Sequence, residues 1–147
     1  VAREGKLVFS TFDPVTGSGR PIASLDARNP AERQWDLSPD GLRIAVWDGD
    51  RGAVTILVPS NGELRTLTTE KLLNFGAFWT SSSDALLVSG WKGDRSIVLR
   101  MDMEGKTQVL LEATGMFRVG VVPSPDGKRL ACMAGSLNSN AWLLENF

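Results

Sequence analysis

The chain repeats itself. Ser38, Ser81 and Ser124 stand 43 residues apart, and each opens a turn that leads into an apolar run. The three segments read Trp35-Asp36-Leu37-Ser38-Pro39-Asp40-Gly41-Leu42-Arg43-Ile44-Ala45-Val46, then Phe78-Trp79-Thr80-Ser81-Ser82-Ser83-Asp84-Ala85-Leu86-Leu87-Val88, then Val121-Val122-Pro123-Ser124-Pro125-Asp126-Gly127-Lys128-Arg129-Leu130-Ala131-Cys132. Gly19, Gly62 and Gly105 keep the same 43-residue spacing. A period of this length built only from short strands is the pattern of β-propeller blades, each a small sheet that buries its faces against its neighbours. The expected fold is therefore all-β, a partial β-propeller of four-stranded antiparallel blades.

The turn signals divide each repeat into four strands. In the clearest unit, strand a covers residues 31–37 and strand b residues 42–47, joined by Ser38-Pro39-Asp40-Gly41. Proline presets φ in that turn, aspartate bonds back to the backbone, and glycine supplies a positive φ. Strand c follows at 53–58, Asn61-Gly62 marks a hairpin, and strand d covers 63–68. The next unit reads as strands at 74–80, 85–90, 96–102 and 106–111, with Ser82-Ser83-Asp84 in place of Pro-Asp-Gly, which predicts a wider turn. The third gives strands at 116–122, 128–134 and 140–144, and Lys6 to Phe12 with Pro21 to Leu25 form the last two strands of a preceding unit. The chain is thus read as one domain over 1–147: a blade remnant at 6–25, blades at 31–68 and 74–111, and an incomplete blade at 116–147, about three and a quarter blades in all.

A partial ring leaves a flat blade face and strand edges open. The expectation is either a fragment of a longer propeller, with blades missing upstream, or a homo-oligomer in which copies cover one another.

Composition removes several functions. A formal net charge of −1, with no block of like charges, gives no electrostatic case for nucleic acid or an anionic surface. No apolar run approaches a bilayer span, so no membrane contact is expected of this segment. The sequence has no histidine and a single cysteine, which removes Ser-His-Asp and Cys-His nucleophiles and the usual zinc ligands. No cofactor is implied. Cys132 lies between Ala131 and Met133 in an apolar strand, and a buried, inert thiol is expected.

The Trp-x-x-Ser-Pro-Asp-Gly-x-Arg-Ile-Ala pattern of Trp35 to Ala45, echoed at Ser124 to Ala131, resembles the TolB-like repeats of WD-repeat-like β-propellers. Trp35 to Gly41, Pro123 to Gly127 and Ser139 to Phe147 are similar to the C-terminal end of propellers appended to bacterial Ser/Thr protein kinases. That resemblance implies a non-catalytic sensor or interaction module, with its partner domain upstream and Phe147 as a natural C-terminus. Its ligand would be a protein, a peptide or a small-molecule signal. The sequence holds no kinase signature, and no Gly-x-Ser-x-Gly elbow of the hydrolases that carry related propellers. Two other readings stand beside the sensor: the accessory propeller of a prolyl-oligopeptidase-like hydrolase, and an independent ring protein that self-assembles.

Candidate binding residues lie at the turns between strands b and c. Trp47 and Trp91 border these turns, where large rings can reach a surface, and Asp50-Arg51 and Asp94-Arg95 recur beside them as a charged rim. The alternative for the charged pairs is local turn stabilisation by exposed ion pairs, and this is the better supported of the two. Trp35, Trp79 and Trp142 read as fillers of the wedge between blades. Asp48-Gly49-Asp50-Arg51-Gly52 offers only two alternating carboxylates, too few for calcium, and is read as a polar hairpin turn. Gly17-Ser18-Gly19 leads into Arg20-Pro21 and lacks the strand–helix frame of a phosphate loop. Asp102 and Glu104 flank a hairpin and do not form a glycosidase pair.

Overall fold

A computed structural model describes residues 2–3, 5–26, 34–49, 51–69, 72, 76–115 and 117–135. The expected strand at 140–144, Trp142 and Asp50 lie outside these residues. The chain forms β1 (Ala2–Arg3), β2 (Lys6–Phe12), β3 (Gly19–Asp26), β4 (Gln34–Leu37), β5 (Ile44–Asp48), β6 (Ala53–Val58) and β7 (Glu63–Thr68). It continues with β8 (Ala77–Trp79), β9 (Ala85–Lys92), β10 (Arg95–Asp102), β11 (Thr107–Thr114), β12 (Phe117–Pro123) and β13 (Leu130–Gly135). Antiparallel pairing assembles these in chain order into four sheets: β1-β2-β3, β4-β5-β6-β7, β8-β9-β10-β11 and β12-β13. Only β1 was not anticipated; it pairs Ala2 with Leu7 and Arg3 with Lys6.

The second strand of each four-stranded sheet is buried along most of its length, because both of its faces are covered. Along β5, Ile44 and Val46 pack with Leu7, Phe9 and Leu57 against the first sheet, while Ala45 and Trp47 join the core shared with the third sheet. That larger core runs through Val54, Ile56 and Leu67 to Trp79, Leu86, Val88 and Met101. Along β9 the alternation repeats: Leu86 and Val88 face back, and Leu87, with Val98 of β10, meets Val121 of the fourth sheet. The fourth strands are solvated outer edges. Pro21 is tolerated in β3 because that edge needs no further donor, and the register shifts beside it between Phe9 and Ser10.

The turns joining the first two strands of each repeat are the same turn. Ser38 N donates to Arg43 O, Thr80 N to Ala85 O, and Ser124 N to Arg129 O, at 2.8, 2.9 and 2.9 Å. The second turn is therefore not wider. It is displaced by one residue, so that Thr80 and not Ser81 supplies the hydroxyl, and Ser83 takes the left-handed position (φ 58°) that Gly41 and Gly127 hold elsewhere. Likewise the first hairpin places Gly17 (φ 68°), not Gly19, in its left-handed position. Its enlarged loop carries Gly19 into β3, opposite Phe12.

These turns also join neighbouring sheets. Asp40 N donates to Ser83 Oγ at 3.1 Å, and Arg43 Nη2 donates to Ser83 O at 2.6 Å. The Arg43 guanidinium lies 4.8 Å from the centre of the Trp79 ring. Trp79 in turn donates its backbone N–H to Asp36 Oδ2 at 2.9 Å and its indole N–H to Asp36 O at 3.2 Å. Asp36, Asp40 and Arg43 of one repeat thus clasp Trp79 and Ser83 of the next.

Candidate binding cleft

Of the expected rim residues within the described chain, Arg51, Asp94 and Arg95 are engaged close to their own turns. Trp47 does not reach a surface: it is 3% exposed and packs in the largest core. The reason is register, since Trp47 shares a face with Ala45, which the third sheet covers. Its indole Nε1 is buried without a hydrogen-bond partner. Arg51 pairs with Asp48 at 3.7 Å across a solvated turn. Trp91 is half-buried. Around it β9 runs on to Lys92, so that Gly93-Asp94 form a two-residue hairpin with Gly93 at φ 64°, as a type II′ turn requires. Asp94 O accepts the Gly115 N–H at 3.1 Å, and Arg95 lies in β10, bonded to Glu112 at 2.7 Å. The rim therefore carries exposed ion pairs, each worth about 0–1 kcal/mol.

The carboxylates of the repeat turns are similarly engaged. Asp40 accepts from Ser38 Oγ at 2.5 Å, from Leu42 N at 3.0 Å and from Arg43 at 3.0 Å. The serine hydroxyl foremost, then the backbone donor, lowers its pKa from 3.8 to about 2. Asp84 and Asp126 are lowered chiefly by Ser82 and Ser124, and Asp13 by Thr16.

A cleft appears where sequence inspection offered no motif. Gln34 of β4, Phe78 of β8, Ser89 of β9, Val121 of β12 and Cys132 and Met133 of β13 surround a space of about 500 Å³. It lies along the first strands of three successive sheets, and none of the described lining residues is charged. Small residues open it. A β-carbon at Gly76 would run into Gln34 Oε1, and Gly120 presents bare backbone. Ser89 lies in its wall, fully buried, with Oγ lacking any hydrogen-bond partner. Cys132, expected to be buried, is exposed and lines the cleft. It pairs with Val121, which packs on the third sheet, but Cys132 itself lines the open cleft and stays exposed.

Solved structures share this arrangement of sheets. The chain is similar to TolB from Acinetobacter baumannii, with a TM-score of 0.67 and 19% identity over 92% of this chain and 36% of that one. It is also similar to a protein from Lactobacillus plantarum, with a TM-score of 0.56 and 16% identity over 89% of this chain and 45% of that one. The likeness defines the class: the fold is a partial TolB-like β-propeller, and the sheets are its blades. The chain spans less than half the length of either structure. No protein-family model and no curated protein matches the sequence.

Proposed function

We propose that the chain is a non-catalytic binding or sensor module of a larger bacterial signalling protein, with the activity carried by a separate domain. The observation that most supports this reading is the engagement of its polar groups. Asp13, Asp40, Asp84 and Asp126 each hold their own turn through hydroxyl and amide donors, and histidine is missing from the sequence. Among the described residues, the wall of the cleft along β4, β8 and β12 is uncharged, which suits recognition rather than acid–base chemistry. The resemblance of Trp35 to Gly41 and of the C-terminal segment to kinase-appended propellers supplies the signalling role.

The partner is a protein, a peptide or a small molecule, and not nucleic acid. The test is the parent reading frame together with the mass of this chain. A kinase domain ahead of Val1 supports the sensor, whereas a catalytic α/β domain would replace it with an accessory propeller. Light scattering across a dilution series is expected to give a discrete oligomer, because open blade faces need cover. A stable monomer at micromolar concentration would remove the self-assembly.

A further inference from the structure

We propose that β11 is the edge through which the chain self-associates, adding antiparallel to β11 of a second copy about a two-fold axis at Leu110. The inference deepens the self-association within the proposed function and rests on it. An outer strand presents a row of backbone donors and acceptors, and natural sheets guard such edges with charge, proline or bulges. The described outer strands differ in this respect. β3 carries Arg20 and Pro21, and β7 carries Glu63 and Arg65. β11 reads Thr107-Gln108-Val109-Leu110-Leu111-Glu112-Ala113-Thr114, without proline, and its one charge is held by Arg95 at 2.7 Å. Val109, Leu110 and Leu111 stand in succession, 39–54% exposed. β11 pairs with β10 on one side, and no other described strand pairs with its outer edge.

The occupant follows from the order of the residues. A two-fold interface requires a surface complementary to itself, and the polarity of β11 is nearly palindromic about Leu110. With Leu110 opposite Leu110, each Val109 meets the Leu111 of the other copy, each Gln108 meets Glu112 and each Thr107 meets Ala113. Apolar residues then oppose apolar ones, and the Gln108 amide lies opposite a carboxylate, with no like charges in register. A slip of one residue either way sets Leu111 against Gln108 or Val109 against Glu112. The one edge guard that β11 has, a bulge, also falls on the axis. Val98 pairs with Leu111 and Leu99 with Val109, which makes Leu110 the extra residue. The arms on either side of it, 107–109 and 111–113, are left regular and pair across the axis.

Light scattering on the whole chain across a dilution series tests this, and the parent is expected to be a dimer. Leu110→Lys sets like charges opposite each other on the axis and should raise the dimer dissociation constant about tenfold or more. Leu64→Lys, at an exposed leucine of β7, should change it less than about twofold. Both positions are exposed, so circular dichroism should match the parent for each variant. Register is read separately by oxidation in a Cys132→Ser background, which removes the only native thiol. Leu110→Cys places its two thiols opposite one another, within disulfide reach, whereas Gln108→Cys leaves them about 14 Å apart. Disulfide-linked dimer should form at least about tenfold faster with Leu110→Cys. A parent that stays monomeric throughout overturns this interface and the self-association together. A dimer that Leu110→Lys weakens no more than Leu64→Lys does, or equal cross-linking at Gln108 and Leu110, overturns the interface alone and leaves self-association to another surface.

Discussion

The joint between the second and third blades and the joint between the third and fourth are built from the same repeat by different means. At the former, a core running from Ala45 and Trp47 to Trp79 and Met101 is overlaid by the clasp of Asp36, Asp40 and Arg43 on Trp79 and Ser83. At the latter, the described core consists of Leu87, Val98 and Val121, and a cleft opens beside it. The turn registers show why. The positions of Asp36, Asp40 and Arg43 are held in the next repeat by Phe78, Ser82 and Ala85, so the third blade offers its successor no such charged groups. Instead, Ser81 abuts Gly127 so closely that a β-carbon there would collide with Oγ. Periodicity sets the blade, and a few substitutions in one turn decide whether a joint is sealed or open.

The largest expected effect comes from Trp79→Ala, which empties the sealed joint of a ring that is 2% exposed and removes its indole donor. A loss of about 3–5 kcal/mol in urea unfolding is expected. Trp35→Ala, at a ring 56% exposed that touches Phe9 edge-on at 5.7 Å, should cost about 1 kcal/mol. Equal losses would mean that the sealed joint around Trp79 packs no more tightly than the solvated contact of Trp35 with the first sheet.

Arg43→Ala should cost about 1–2 kcal/mol, through the bond to Ser83 O and the contact over the Trp79 ring. Arg129 holds the same turn position in the fourth blade and is exposed, so Arg129→Ala should stay within about 0.5 kcal/mol. Ser83→Ala is expected to cost about 1 kcal/mol because the Asp40 N–H loses its acceptor. Ser83→Gly should cost less, since glycine adopts the positive φ without strain; the reverse order would show that the strain of the positive φ does not decide stability at this turn.

The smallest effect is on pH dependence. The Asp40 pKa in the folded chain lies below its ordinary value, so its contribution is present above about 3.8 and is lost as the pH falls toward about 2. Urea midpoints measured from pH 5 downward should therefore decline. They should decline less in Asp40→Asn, with Asp84 and Asp126 sustaining the remainder in the same direction. An identical profile in the variant would free Asp40 of this role.

Much of the fold was legible because strand pairing follows local signals. Strands 53–58 and 63–68 fall where alternation and Asn61-Gly62 place them. The displaced turn was not legible, because matching serine to serine ignores that threonine supplies the same hydroxyl and that serine can take a glycine's φ. Trp47 was misplaced because proximity to a turn says nothing of which face a side chain joins. The cleft escaped altogether: Gln34, Gly76, Ser89 and Cys132 come from four strands or their flanks, and what makes them a site is the space that small residues leave. No motif encodes that space.

The clasp also bears on how such a chain could be rearranged in evolution. Duplication and exchange of whole repeats is the simplest way to lengthen a propeller, and it succeeds freely only if every unit mates with every other. Here the unit containing Trp79 and Ser83 receives a clasp on one side and, among the described residues, extends none on the other. It therefore has a front and a back. A copy of it placed after itself would bring Phe78, Ser82 and Ala85 to a partner that expects Asp36, Asp40 and Arg43. The order of the blades is in this sense inherited as grammar, with each unit restricted in what it can follow.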